Sequence, residues 1–311
     1  MQRSNRRRNN KRSIYRHRRR PRLRQWLPFA ICLAMVVVSA SALIGYGINA
    51  LQRRRANDRL SQGYEAAFVQ QSTPEVTQQP EMTQPLRTPA PSVTPTLAPA
   101  YRSLSGNVPN KARQLYQQNS DLVGWLYING VVSLPVVYRD NVHYLTHDFE
   151  GRENDGGTLF LDQMHPLTEQ TQNLLIHGHN MYDSSMFGIV STYYKLDMVK
   201  NHGFASFSTM YAPEDYVICG VLRVDPNPGS DGYFSYVGMD KFHSEQAFLD
   251  FVQEMQARSM FAIPIDVQPC DSLLSLSTCI DDDRLVLFFR RFRPGESKES
   301  LQPLLNRAVK R

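Results

Sequence analysis

Cysteine is scarce in this 311-residue chain: there are four, at positions 32, 219, 270 and 279. Three of them follow the apolar stretch near the N-terminus. An odd number cannot pair completely, so a fully closed disulfide framework is excluded there. One free thiol is expected even if Cys219 and Cys270 join. Acidic residues are absent from residues 1–24, which hold twelve Lys and Arg. The formal charge of +6 therefore belongs to that tail, since the rest of the chain keeps 23 of the 35 basic residues against 29 acidic ones. A mildly acidic body argues against nucleic-acid binding. No internal repeat runs through the chain.

Charge of either sign is absent from Trp26 to Leu51. At 1.5 Å per residue, a helix over this run exceeds a bilayer core of about 30 Å. Trp26 and Tyr46 suit the two interfaces. The twelve basic residues ahead of the run outweigh Arg53, Arg54, Arg55 and Arg59 behind it, which puts the N-terminus in the cytoplasm and the remainder outside. Small residues at Ser39-Ala40-Ser41-Ala42 would suit removal of a signal peptide. The apolar run continues beyond them, which favours an uncleaved anchor.

The expected organisation follows: a basic cytoplasmic tail over 1–25, a transmembrane helix over 26–51 and a juxtamembrane segment over 52–71 able to form a short helix. A Pro/Thr-rich linker over 72–104, a folded domain over 105–295 and a C-terminal extension over 296–311 complete it. Pro74, Pro80, Pro85, Pro89, Pro91, Pro95 and Pro99 stand among Thr, Gln and Ser. Such a segment builds no core, tends to polyproline II and reaches on the order of 90 Å when extended. It reads as a spacer serving only placement, so a fragment beginning at Tyr101 is expected to keep the domain's activity.

Within the domain the pattern predicts a helix over 110–118, with Ala112, Leu115 and Tyr116 inward. Strands are predicted over 124–128, 131–138, 158–161, 173–177 and 216–224. A second helix is capped by Ser244 and gathers Ala247, Phe248, Phe251, Val252 and Met255 on one face. Many short strands with few helices imply a mostly β fold, a closed or nearly closed barrel carrying helical insertions.

The stretch LLSLSTCIDDDRLVLFFRR, residues 273–291, holds two period-two runs joined by an Asp-rich turn. A hairpin there puts Cys279 at the end of one strand and Arg284 at the start of the next. A cation beside a thiol favours the thiolate, so the pair is a candidate reactive site. The bland alternative is a buried small hydrophobe and a solvated strand end. Cys219 falls within a strand and is expected in the core. Upstream, LLIHGHNM (174–181) carries an apolar strand into a glycine turn between His177 and His179. Three readings stay open for these imidazoles: satisfied structural residues, a metal-binding pair lacking obvious further ligands, or a catalytic base whose nucleophile is Cys279.

Taken together, these motifs resemble the class B sortases, membrane-anchored cysteine transpeptidases of Gram-positive bacterial surfaces. The likeness covers residues 107–293. It is carried in order by NSDLVGWLYING (119–130), LPVVYRDNVHYLTHDFEG (134–151), GGTLFLD (156–162), NLLIHGHNM (173–181), SSMFG (184–188), LSLSTC (274–279) and RLVLFF (284–289), with the long helix after Ser244 as the class B mark. The resemblance implies a sortase-like closed β-barrel. It puts the catalytic His at His179, the nucleophile at Cys279 and the catalytic Arg at Arg284, with Ser277, Thr278, Ile280 and Asn180 as supporting positions. It further implies a thioacyl intermediate with the Thr of a C-terminal sorting signal on an exported protein. The acceptor is then an amine of the wall peptide or a pilin lysine; no metal or organic cofactor is implied. Two departures stand out: His177 occupies a position where the family usually has Tyr, and the Cys-to-Arg interval is shorter than in many members. The rivals are a cysteine peptidase of surface proteins and a non-enzymatic surface-binding module. Arg290, Arg291 and Arg293 lie farther along and are expected to tolerate replacement. Asp281, Asp282 and Asp283 are read as a solvated loop.

Overall fold

Short β-favouring runs separated by turns leave open edges unless the sheet closes on itself, and here it closes. The computed structural model describes residues 23–68, 110–168, 170–209 and 213–311; the basic tail through residue 22 and the proline-rich linker lie outside the described residues. The strands are β1 (Leu122–Ile128), β2 (Val132–Val137), β3 (Leu159–Leu161), β4 (Asn173–His177), β5 (Phe204–Thr209), β6 (Pro213–Val224), β7 (Phe261–Ala262), β8 (Leu273–Ile280), β9 (Asp283–Arg291) and β10 (Val309–Lys310). Eight of them form a closed barrel in the order β1-β2-β3-β4-β8-β9-β6-β5. Neighbours are antiparallel except β2 with β3 and β4 with β8, which run parallel. β7 and β10 pair separately. The mostly β, closed-barrel expectation holds.

Five α-helices accompany the described strands: α1 (Leu23–Phe68), α2 (Asn110–Gln118), α3 (Leu196–Asn201), α4 (Glu245–Arg258) and α5 (Lys298–Asn306). α1 runs without interruption through the position where a separate juxtamembrane segment was expected to begin. Among the described residues it is the one helix long and apolar enough to cross a membrane. Its Phe29, Leu33, Val36 and Leu43 side chains are exposed. The described residues up to Leu51 form one compact unit and those from Gln52 onward another.

α4 forms as its sequence dictates: the Ser244 hydroxyl accepts from the Ala247 N–H, and Phe248, Phe251, Val252 and Met255 are buried. The Phe251 ring lies 5.9 Å from Phe288 of β9 and 5.2 Å from Phe234. Along β8, Leu274 and Leu276 join the core while Ser275 and Ser277 take the other face, as the pleat requires. On that face Tyr236, from the connection between β6 and α4, meets Ser277. Ser275 Oγ donates to Asn173 Oδ1 at 2.7 Å, and Ser277 Oγ meets Tyr236 Oη at 3.0 Å. Both serines are buried and satisfied, so neither is left with the cost of a lost partner.

Two expectations change. Residues 296–311 do not stand apart from the domain. Ser297 and Ser300 cap α5 reciprocally, and Leu301, Leu305 and Ala308 belong to the barrel's core cluster. Arg290 and Arg293, expected to tolerate replacement, are both held in ion pairs. Arg290 is 1 % exposed and grips both Glu296 oxygens, at 2.7 and 2.9 Å, while Arg293 bonds Asp271 and Asp266. Removing one partner of a buried pair strands the other charge, so Arg290→Ala should cost about 3 kcal/mol of stability. Urea unfolding measures this; a change below 1 kcal/mol, taking that as roughly the worth of an exposed pair, would show the pair to be idle.

Candidate active site

The site is assembled by three neighbouring strands. β4 lies parallel to β8 with His177 level with Ser277. The chain then continues alongside β8: the Gly178 N–H donates to Ser277 O at 3.2 Å, Thr278 Oγ1 donates to Gly178 O at 2.8 Å, and Asn180 Nδ2 donates to Cys279 O at 2.9 Å. His179 is thereby carried to the level of Cys279, about 4.8 Å away in strand spacing. On the other side of β8, Cys279 is the direct partner of Arg284 in β9, a relation that sets their Cβ atoms about 5 Å apart. The order across the rim is thus His179, Cys279, Arg284.

Gly178 is required by packing rather than by turn conformation. A methyl group there would lie 2.5 Å from Leu159 Cδ2 and 2.6 Å from Phe187 Cδ2. The expected glycine turn is an extended crossing between two crowded side chains.

The two imidazoles have different surroundings. His179 is half-buried, and its Nε2–H donates to Leu145 O at 2.8 Å. Among the described residues, Nδ1 makes no hydrogen bond. His177 donates through Nε2 to Asp162 Oδ2 at 2.9 Å and packs its ring on Phe160. Asp162 is buried and also accepts from Asn141 Nδ2 and the Met164 N–H. Burial pushes its carboxyl upward, but the bonds from His177 and Met164 and the nearby imidazoles of His177 and His165 outweigh it, and it titrates below the ordinary range. With a depressed folded value, its contribution to stability is full above the unfolded carboxylate range and fades as pH falls through the folded one. Among the described residues no cluster of three His, Cys, Asp or Glu could hold a metal.

Among the described residues, the carboxylates of the three hairpin aspartates do not engage Arg284. Arg223, opposite Leu285 on β6, bonds the carboxylates of Asp281, at 3.1 Å, and Asp283. Asp281 sits at φ +51°, a conformation Asp tolerates in tight turns. Arg284 donates to Asp283 O at 3.3 Å, and among the described residues no carboxylate lies within ion-pair distance of it. Its charge is left for an incoming group.

Of the supporting positions, Asn180 and Thr278 fasten the β4–β8 crossing, and Ser277 is held by Tyr236. The Tyr236 phenol is raised by burial, lowered by Ser277 and Arg284, and raised again by Asp162 and Cys279. Of the other thiols, Cys219 is buried, its Sγ donates to Phe288 O at 3.4 Å, and burial lifts it to about 12; Cys270 is exposed. No disulfide joins them, and the described cysteines are all free.

A closed eight-stranded barrel is the fold this chain shares with solved sortase B structures. No protein-family model matches the chain. It is 28 % identical over 182 residues to sortase B of Listeria monocytogenes, covering 58 % of this chain and 71 % of that protein. It is 26 % identical over 165 residues to sortase B of Staphylococcus aureus, covering 52 % of this chain and 65 % of that one, just under two thirds of its length. The solved Staphylococcus aureus sortase B–substrate complex superposes with a TM-score of 0.62 at 20 % identity, over 80 % of this chain and all of that one, a likeness of fold. In sequence and in fold the chain is similar to the class B sortases.

Proposed function

We propose that the chain is a cysteine transpeptidase that joins exported proteins to a surface amine. The reading is carried by the adjacency of Cys279 and Arg284 on paired strands with His179, just beyond the end of the neighbouring β4. The Cys279 thiolate attacks the carbonyl carbon of a Thr in a C-terminal sorting motif, forming a C–S bond. His179 gives its proton to the departing amine nitrogen as the C–N bond breaks, which leaves a thioacyl enzyme. An acceptor amine, from the wall peptide or a pilin lysine, then attacks the thioester. It loses a proton to His179 and expels the thiolate. His179 acts through Nδ1, since Nε2–H is spent on Leu145 O. Arg284 grips the substrate backbone and offsets oxyanion charge, with the Ile280 N–H as a second donor. No metal or organic cofactor takes part. The apolar section of α1 anchors the chain in the cell membrane, N-terminus inside and barrel outside.

The test uses the full-length chain in detergent micelles. Given a peptide with a Pro- and Thr-containing sorting motif, it should gain one acyl adduct by intact mass. A glycine peptide should discharge that adduct into a ligated product faster than water does. Release of the hydrolysed acid alone, whichever amine is supplied, would point to a peptidase; no adduct at all would leave a binding module. Arg284→Lys should lower kcat/KM on the order of a hundredfold, because lysine keeps the charge but lacks the planar fork that grips two oxygens at once. Near-normal turnover in that variant would mean charge alone suffices.

A further inference from the structure

The helix segment just beyond the apolar section touches the loop that carries His179. Gln52 onward belongs to the same compact unit as the barrel. Arg53 and Asp183 form an ion pair at 3.1 Å with side chains only 4 % and 7 % exposed, and Arg54 donates to the Asp183 carbonyl. Farther along α1, Ser61 Oγ donates to Ser133 Oγ of β2 at 2.8 Å, and Leu60 packs on the cluster of Leu122, Trp125, Tyr144 and Phe160. The segment is thus seated on the barrel at two places, one of them the ion pair.

Asp183 lies in the loop from His179 to Gly188. Its carboxylate accepts from the Ser185 N–H at 3.0 Å and Ser185 Oγ at 2.6 Å. The loop closes on His179 itself: the Phe187 N–H donates to His179 O at 2.9 Å, and Asn180 bridges to Met186. Two non-glycine residues in it, Ser184 at φ +63° and Met186 at φ +50°, occupy the left-handed region. Such conformations are unfavourable for non-glycine residues and persist only where the surroundings over-determine them. Burial pushes the Asp183 carboxyl upward, yet the Ser185 and Arg53 hydrogen bonds hold it below its ordinary range. A buried carboxylate deprived of its cation is strongly unfavourable, so the loop cannot keep this shape cheaply without Arg53.

We propose that Arg53 is a positioning residue for His179, holding the His179–Gly188 loop in its working shape through Asp183. The segment after the apolar section is then part of the catalytic apparatus. A fragment starting at Tyr101 would lack it, contrary to the expectation that everything before the domain serves only placement. The catalytic meaning of this clamp rests on the transpeptidase reading, so the decisive readout is one that needs no turnover.

The experiment compares the full-length chain with Arg53→Ala, Arg53→Lys and Asp183→Asn in detergent micelles, by amide hydrogen exchange and by turnover of the motif peptide. In Arg53→Ala and Asp183→Asn, amides of residues 179–188 should exchange at least about tenfold faster, while those of β8 and β9 keep their protection. In the same variants kcat should fall ten- to a hundredfold, roughly what a small misplacement of a catalytic group costs. KM should stay within about twofold. Arg53→Lys should recover part of both. Unchanged exchange at 179–188 overturns the clamp, as does an increase spread evenly over the barrel. Faster loop exchange with unaltered kcat overturns the positioning role. If Arg53→Ala does not fold, Asp183→Asn, which removes only charge, decides. An inactive parent chain would refute the transpeptidase reading, while its exchange data still decide whether Arg53 holds the loop.

Discussion

Cys279→Ala is expected to abolish turnover, lowering kcat/KM by at least about three orders of magnitude, because covalent catalysis has no substitute nucleophile at that rim. The side chain is exposed at the end of β8, so its loss opens no core cavity, and thermal unfolding should be near that of the parent. The same substitution at Cys270 should leave activity intact, since that thiol has no part in the β4–β8–β9 rim. Cys219→Ala should be active too. Its thiol is buried, bonded to Phe288 O and lifted to about 12 by burial, a combination that suppresses nucleophilicity. Steady-state assays with the motif peptide, together with intact-mass detection of the adduct, separate the three variants. A dead Cys219→Ala or Cys270→Ala beside an active Cys279→Ala would relocate the site.

What could be read before the fold was known is what is local. The hairpin joining Cys279 to Arg284 follows from period-two runs and an Asp-rich turn, both contained within nineteen residues. β4 was legible with the bounds it has, as was α4 from its cap and apolar face. The parallel pairing of β4 with β8 joins segments a hundred residues apart. No pattern within either strand encodes it, and only the family resemblance brought His179 to Cys279. Asp162 and Tyr236 went unnoticed as individual residues for the same reason: their partners His177 and Ser277 are distant in sequence or reached through an irregular connection. Arg53 sent a misleading signal, because a basic residue after an apolar run reads as a marker of membrane orientation, whereas its burial against Asp183 depends on tertiary packing. Arg290 misled similarly, since alternation along a strand says which residues share a face and not whether that face is covered.

His179→Ala should lower kcat/KM by about two to four orders of magnitude, the usual worth of a positioned general acid and base, while the unfolding midpoint barely moves. His177→Ala should show the opposite profile. Its imidazole is one of three donors to the buried Asp162 carboxylate, and an incompletely satisfied buried carboxylate costs about 1–3 kcal/mol. Stability should fall by that amount, and activity should stay within about tenfold, since Asn141 and the Met164 N–H still hold Asp162 in place. The contrast separates three roles that two imidazoles flanking one glycine leave open. A structural pair would lose stability in both variants and activity in neither beyond what unfolding explains. A metal pair would lose activity in both, in proportion to metal content measured on the purified chain. Only the assignment of proton transfer to His179 and of carboxylate support to His177 gives one variant that is folded and inactive beside one that is active and less stable. Comparable losses of kcat/KM in the two would sink it.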